Sequence, residues 1–130
     1  MKAHGLTLEG ATEPECFTVP VKAIHITELQ RAAMDGLFDF AFVAMKSYDT
    51  VWATQMIAQY LKPEGFCISL QNGINEERMA SVVGWGKTVG CIAAKIAVEI
   101  FEPGLVRRNV QLGGAAHTVD RKSTRLNSSH

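Results

Sequence analysis

The middle of the chain alternates between short apolar runs and amphipathic stretches. Residues 40–45 are apolar at all six positions, and residues 66–70 form a second, mostly apolar run. Both runs have the length of a strand, and strands that are apolar on both faces are typical of a parallel sheet covered by helices. A third run, at residues 89–100, is longer and less uniform, and it also predicts a strand.

Two helices are predicted between these strands. The first follows Ser47 or Asp49, either of which can cap it, and it ends before the loop predicted for residues 62–65. The second helix begins after Asn75 and ends at Gly84. A broad apolar face of the first helix is predicted to consist of Val51, Trp52, Ile57, Tyr60 and Leu61.

Further strands and a short helix are predicted before this region. Residues 1–15 are predicted to form a loop, with room for a short strand near residues 6–8. Residues 17–25 have the composition of a strand, in which Pro20 indicates an edge or bent position. After that strand, residues 27–30 have the form of a capping box. The pattern therefore predicts a short helix that ends near Met34.

A hairpin is predicted towards the C-terminal end. The proline and glycine at residues 103–104 are the signature of a type II turn. Residues 105–112 are predicted to return as the partner strand, with Arg107 and Arg108 pointing outward. Residues 115–119 are predicted to add a further strand.

The order strand–helix–strand–helix–strand, followed by an antiparallel hairpin, predicts an α/β fold. Its centre is a partial Rossmann-like parallel sheet with flanking helices. We expect residues 1–119 to form one incomplete domain. Residues 120–130 are rich in serine, basic and aperiodic, so they are predicted to be disordered. They also resemble translated adapter sequence, and we expect this tail to be non-native.

Composition and charge exclude several classes of function. Thirteen basic residues balance thirteen acidic ones, so charge gives no case for binding nucleic acid or an anionic membrane. No apolar run approaches the roughly 18 residues that span a bilayer. Cys16, Cys67 and Cys91 are widely spaced, and the four histidines lack the spacing of metal ligands. We therefore expect reduced thiols, no metal site and a cytoplasmic location.

Candidate chemistry lies at the ends of the two most apolar strands. Lys46 directly follows one strand, and Asn72 with Gly73 follows the next. Ligands of parallel α/β sheets bind outside the carboxyl ends of the strands, so both sites fall on one sheet edge. A lysine can bind an anionic group, and an asparagine offers a donor and an acceptor. Spacing alone leaves open a solvated lysine and a simple Asn-Gly turn.

These positions and their neighbours resemble the cofactor domain of the ketopantoate reductases (2-dehydropantoate 2-reductases). The resemblance extends from about Gly5 to Val119 and is carried by three blocks. They are Val-Ala-Met-Lys-Ser-Tyr-Asp at 43–49, Ser-Leu-Gln-Asn-Gly-Ile-Asn-Glu-Glu at 69–77 and Glu-Pro-Gly at 102–104. The blocks do not separate true ketopantoate reductases from relatives that act on other 2-oxo acids.

The resemblance implies that residues 1–119 are an NADP-binding, Rossmann-like domain. The implied reaction is hydride transfer from NADPH to a 2-oxo acid, ketopantoate, which gives pantoate for pantothenate biosynthesis. The resemblance further implies that Lys46, Asn72 and Ile96 contact the cofactor, Ile96 through its backbone, and that Asn72 also lies beside the substrate. It assigns no catalytic residue to this chain, because the general-acid lysine of the family belongs to a helical C-terminal domain.

The family also begins with a strand and a G-x-G-x-x-G loop that this sequence lacks. Gly84, Gly86 and Gly90 have a similar appearance, but they follow a helix and precede a strand, so they predict a turn. We therefore expect an enzyme fragment that is truncated at both ends and inactive alone. The alternatives are a non-catalytic nucleotide- or protein-binding module, and a fragment that self-associates through an exposed sheet edge.

Overall fold

The computed structural model of the protein describes residues 4–93 and 97–109. These residues form two compact units, one of residues 4–29 with 97–109 and one of residues 30–93. The predictions for residues 110–130 lie outside the described residues. The strands are β1 (Leu6–Glu9), β2 (Phe17–Val19), β3 (Phe38–Val43), β4 (Leu61–Ser69), β5 (Thr88–Gly90), β6 (Val98–Glu102) and β7 (Leu105–Arg108). The α-helices are α1 (Leu29–Ala33), α2 (Thr50–Ala58) and α3 (Glu76–Val83).

The unit of residues 30–93 is built on a parallel sheet. Its described strands have the order β3-β4-β5, and each neighbouring pair is parallel. In the register, Ala41 lies opposite Cys67 and Ser69 lies opposite Gly90. Helix α2 connects β3 to β4, and α3 connects β4 to β5. This arrangement confirms the predicted α/β fold with a parallel sheet and flanking helices.

The core of this unit lies between one face of the sheet and the two helices. Thr50 and Thr54 are fully buried on α2, where the Thr54 hydroxyl donates to the Thr50 carbonyl oxygen at 2.7 Å. That bond satisfies a hydroxyl group that water cannot reach. The buried apolar side chains, from both strands and both helices, are Val43, Ala53, Leu61, Cys67 and Met79.

The apolar face predicted for α2 is partly wrong. Val51 and Trp52 are 39% and 40% exposed, because the helix turns Thr50, Ala53 and Thr54 towards the sheet. Ala53 and Thr54 lie three and four positions after Thr50, which places all three residues on one side of the helix. Small side chains at this contact indicate a close approach of the helix to the sheet.

The prediction that β3 is buried on both faces is also wrong. Phe40 and Phe42 are 49% and 56% exposed, whereas Val43 is buried. Successive strand residues point to opposite faces, and in the described residues both helices contribute to the core on the Val43 side. Phe40 instead contacts the rings of Phe42 and Phe66 along the uncovered face, each at 5.7 Å between centroids.

The loop predicted for residues 62–65 is part of β4. The pairing of β3 with β4 shifts register between Phe38 and Phe40, which oppose Leu61 and Phe66. The extra residues form an irregularity in the strand rather than a separate loop. Gly65 is needed in it, because a Cβ atom there would lie 3.0 Å from the Lys62 carbonyl oxygen.

The other unit contains a mixed sheet. Its described strands have the order β2-β1-β7-β6, in which β1 pairs parallel with β7 and the remaining pairs are antiparallel. The predicted hairpin is confirmed as β6 and β7, and Gly104 has the positive φ, 96°, that a type II turn requires. In the described residues these strands form a sheet separate from the parallel sheet of β3, β4 and β5.

Local predictions in this unit are confirmed in part. The strand predicted at 17–25 is an edge strand, but it ends at Val19, directly before Pro20. The capping box is formed by His25 and Glu28 rather than by residues 27–30, since the His25 amide donates to the Glu28 carboxylate at 2.7 Å.

The two arginines predicted to point outward are both paired. Arg107 donates to Glu9 at 2.8 Å and stacks over the Phe101 ring, and Arg108 pairs with Glu15 at 2.7 Å. Neighbouring strand residues face opposite sides of a sheet, so two consecutive arginines cannot share one solvated face. In the described ranges, no helix is long and apolar enough to cross a membrane.

The buried position of Met79 generates a stability prediction. Met79→Ala removes a fully buried side chain and leaves a cavity between α3 and the sheet, so the free energy of unfolding should fall by roughly 2–5 kcal/mol. The matched control is Met34→Ala, because Met34 is 82% exposed and should change stability by less than about 0.5 kcal/mol. Urea unfolding followed by tryptophan fluorescence measures both. Equal losses in the two variants would contradict the described core.

Candidate functional site

Two loops at the carboxyl ends of β3 and β4 enclose a cleft of about 500 Å³. The first loop leads from β3 into α2, and the second leads from β4 towards α3. The loops are side by side because the parallel strands end together, and the Leu70 amide still donates to the Val43 carbonyl oxygen at 2.9 Å. The cleft is lined by Ala44, Met45, Lys46, Ser47, Leu70, Gln71 and Asn72.

Lys46 and Asn72 therefore line one cleft, as the topology predicted. Lys46 has extended backbone geometry directly before a 3-10 turn, Ser47–Asp49, that opens α2. Asn72 precedes Gly73, whose φ of 86° lies in the left-handed region and turns the chain towards α3. The sequence at each loop thus places a polar side chain at the point where the backbone changes direction.

Both of these side chains are exposed and have no side-chain partner within residues 4–93 and 97–109. The backbone of Asn72, in contrast, is held firmly. Its carbonyl oxygen accepts the Ser47 hydroxyl at 3.2 Å and the Asn75 amide at 3.0 Å. The cleft therefore presents an ammonium group and a carboxamide whose hydrogen-bonding capacity is unused by the described protein, on a fixed backbone.

Sequence reasoning missed the residues that connect the two loops. The Ser47 hydroxyl reaches the second loop, and the Arg78 guanidinium of α3 donates to the Ser47 carbonyl oxygen at 3.0 Å. The amide of Gln71 donates to the Met45 carbonyl oxygen at 2.8 Å. No sequence signal identifies these contacts, because they join positions 25 to 31 residues apart.

The predicted helix caps differ from the contacts that form. Asp49 and Asn75 occupy the positions before α2 and α3, but neither side chain accepts a bond from its helix backbone. Asp49 accepts the Trp52 indole N–H at 2.7 Å instead, and Asn75 donates to the loop at Asn72. Asn75 is 1% exposed, so its side chain shapes the cleft loop from inside the protein.

The remaining predicted site residues lie elsewhere. Ile96 is outside the described residues, so its contact with a cofactor stays a prediction. Gly84 ends α3 with a φ of 82°, and a 3-10 turn, Trp85–Lys87, follows it, which confirms the predicted turn.

The chemistry of the cleft is that of a binding site for oxygen-rich or anionic groups. Its lining has neither carboxylate nor thiol nor imidazole. Cys67, on β4, is fully buried in the core, and burial raises the pKa of its thiol, partly offset by the charge of Lys87. Among the described residues, no group of three or more His, Cys, Asp and Glu side chains could hold a metal ion.

Comparison with known proteins identifies the class. The family model described as ketopantoate reductase PanE/ApbA matches residues 1–118 of the 130-residue chain. The chain belongs to this family. A comparison with curated protein sequences finds no match.

Solved structures of ketopantoate reductases share the fold. The 2-dehydropantoate 2-reductase of Geobacter metallireducens is 23% identical, with a TM-score of 0.63 over 83% of this chain and 34% of that chain. The PanE/ApbA family ketopantoate reductase of Ralstonia eutropha is 26% identical, with the same TM-score and coverages. The enzyme of Methylococcus capsulatus is 18% identical and covers 84% of this chain and 34% of its own. The chain thus spans about a third of the length of these proteins.

The backbone at the second loop generates a prediction. Gly73→Ala should lower the free energy of unfolding by about 1–2 kcal/mol, because a side chain is strained at a positive φ. A Cβ atom would meet only the Asn75 amide nitrogen, 4.0 Å away, so crowding contributes little. Gly86→Ala is the control, since Gly86 has open space and no positive φ. Urea unfolding measures the free energy of unfolding of both variants. An equal decrease in Gly86→Ala and Gly73→Ala would contradict this account.

Proposed function

We propose that this chain is part of the NADPH-binding domain of an oxidoreductase that reduces a 2-oxo acid. The observation that carries the proposal is the cleft at the carboxyl ends of two parallel strands, where the side chains of Lys46 and Asn72 have no partner among the described residues. Ligands of open α/β sheets bind at such strand ends. Membership of the ketopantoate reductase family supports ketopantoate as the substrate and pantoate as the product.

The donor set of the cleft fits a nicotinamide dinucleotide. The Lys46 ammonium can donate to ribose or phosphate oxygens, and it can balance negative charge. The Asn72 amide can both donate to and accept from a ribose hydroxyl or a carboxamide. NADPH, when bound, supplies the hydride that reduces a keto carbon.

Each residue has a separate role in this proposal. Lys46 holds the cofactor, and Asn72 contacts the cofactor while also orienting the substrate that lies beside it. Ile96 is proposed to contact the cofactor through its backbone. We assign no proton donor among the residues that line the cleft. A cytoplasmic location is part of the same proposal.

The experiment is titration of the isotope-labelled full chain with NADPH, followed by the amide resonances in NMR. We expect saturable shifts centred on the loops that follow β3 and β4, even where the affinity is only millimolar. A non-catalytic module that binds NADPH would give the same NMR shifts. The shifts therefore test NADPH binding, and a second assay is needed to test reduction. Ketopantoate reduction is therefore assayed in a protein that carries this chain together with its catalytic domain.

Lys46→Ala should weaken NADPH binding about 10-fold, because it removes the charge-assisted hydrogen bond that we propose between Lys46 and the cofactor. The control is Lys62→Ala, which removes the same charge near the start of β4, where Lys62 pairs with the exposed Asp39. That exposed pair contributes little to stability, so Lys62→Ala should leave the NADPH affinity unchanged. Equal affinities of wild type and Lys46→Ala would remove Lys46 from the site.

We also propose that the chain self-associates through an exposed sheet edge, formed by β3. This strand is the edge strand of the described parallel sheet, and Phe40 and Phe42 on it are about half exposed. Phe42→Ser should shift the chain towards the monomer in concentration-dependent size-exclusion chromatography. Ile74→Ser is the control, because Ile74 is 85% exposed but lies in a loop. A wild-type chain that elutes as a monomer at every concentration would rule out this association.

A further inference from the structure

The side chain of Gln71 is bonded to the protein at both ends of its amide. Its Nε2 atom donates to the Met45 carbonyl oxygen at 2.8 Å and to the Thr50 hydroxyl at 2.9 Å. Its Oε1 atom lies 3.3 Å from the hydroxyl of Ser69. Thr50 and Ser69 are both buried, at 0% and 1% exposure. One half-buried side chain therefore connects the first loop, the start of α2 and the end of β4.

The donors and acceptors of this group admit one consistent arrangement. Thr50 has a single hydroxyl proton to donate, and its Oγ1 atom lies closer to the Ser47 carbonyl oxygen, at 2.8 Å, than to Gln71 Oε1, at 3.3 Å. Thr50 therefore donates to Ser47 and accepts from Gln71, and the Ser69 hydroxyl donates to Oε1. A flipped Gln71 amide would point its oxygen at the Met45 carbonyl oxygen, which is repulsive.

These bonds act next to the two side chains of the proposed binding site. Met45 precedes Lys46, and Gln71 precedes Asn72 in the chain. The bond from Gln71 to Met45 and the bond from Ser47 to the Asn72 carbonyl oxygen cross between the loops in opposite directions. Two such bonds fix both the separation and the relative orientation of the loops.

We propose that Gln71 is a positioning residue that holds Lys46 and Asn72 at the distance a shared ligand requires. Although Gln71 lines the cleft, both protons of its Nε2 atom are used within the protein, so it acts on a ligand through its neighbours. The ligand in this inference rests on the proposed function, whereas the positioning itself does not. Misplacement of binding groups by about 1 Å is enough to weaken a site strongly.

The test replaces Gln71 in the full chain by methionine, which has a similar length and no amide. The exchange rate of the Asp49 amide measures how well the first loop is held in place, because this N–H donates to the Lys46 carbonyl oxygen at 2.9 Å. In Gln71→Met we expect exchange at Asp49 to be about 10-fold faster and NADPH binding to be about 10-fold weaker. Exchange at Cys67, in the core of β4, should stay unchanged.

Two further variants separate the hydrogen bonds from general destabilisation. Gln59→Met makes the same chemical change at an exposed position on the C-terminal side of α2, and it should alter neither measurement. Gln71→Glu keeps the shape but loses the two donated bonds, so it should reproduce the Gln71→Met effects. If the Asp49 amide exchanges as slowly in Gln71→Glu as in the wild type, the proposal is overturned.

The outcomes distinguish this inference from the proposed function. Absence of NADPH binding by the wild-type chain would refute the proposed ligand, and exchange at Asp49 would still decide whether Gln71 positions the loop. Wild-type exchange and affinity in Gln71→Met would overturn the positioning role while the proposed function stands. Should Gln71→Met fail to fold, Ser69→Ala removes only the hydroxyl that holds Oε1, and exchange at Asp49 should then accelerate about 3-fold. Unchanged exchange in that variant would overturn the role as well.

Discussion

Parallel pairing of β3 with β4 is the constraint on which the candidate site depends. The register sets Val43 opposite Ser69, so both strands end at one level and their loops start side by side. A slip of one residue would move the side chains of one strand to the other face. It would bury Phe42 or expose Cys67, and it would also separate Lys46 from Asn72. The same apolar side chains that fix the core therefore fix the geometry of the cleft.

Around the cleft, polar side chains divide into those that hold the loops and those that have no partner among the described residues. Ser47, Thr50, Ser69, Gln71 and Asn75 bond to the protein through their side chains. Buried polar groups must be satisfied, and a fully connected network makes the surrounding backbone rigid. Lys46 and Asn72 lie on that backbone, and their side chains donate to no group in residues 4–93 and 97–109. Such a division allows a site to be ordered before its ligand arrives, which reduces the entropy lost on binding.

Sequence patterns predicted the fold to the extent that local rules determine it. The order of β3, α2, β4, α3 and β5 follows from apolar runs and turn residues, and the shared edge of Lys46 and Asn72 follows from that order. The exposure of Phe42 could not be predicted from the sequence. An apolar side chain indicates that a strand face favours burial, but it does not show whether a helix or another sheet covers that face. The partners of Arg107 and Arg108 were missed for a similar reason, since Glu9 and Glu15 are distant in sequence. The Gln71 network was beyond prediction because it depends on the distances between two loops.

Identities of 18% and 26% with the compared reductases are compatible with one fold because many apolar side chains can fill the same core. The cleft is less tolerant. Apolar core side chains can exchange for others of similar volume, but only a side chain of the length of glutamine, with two donors and an acceptor, can bond Met45, Thr50 and Ser69 together. The polar residues that join the two loops are therefore more constrained than the core, because their bonds set the separation of the loops that carry Lys46 and Asn72.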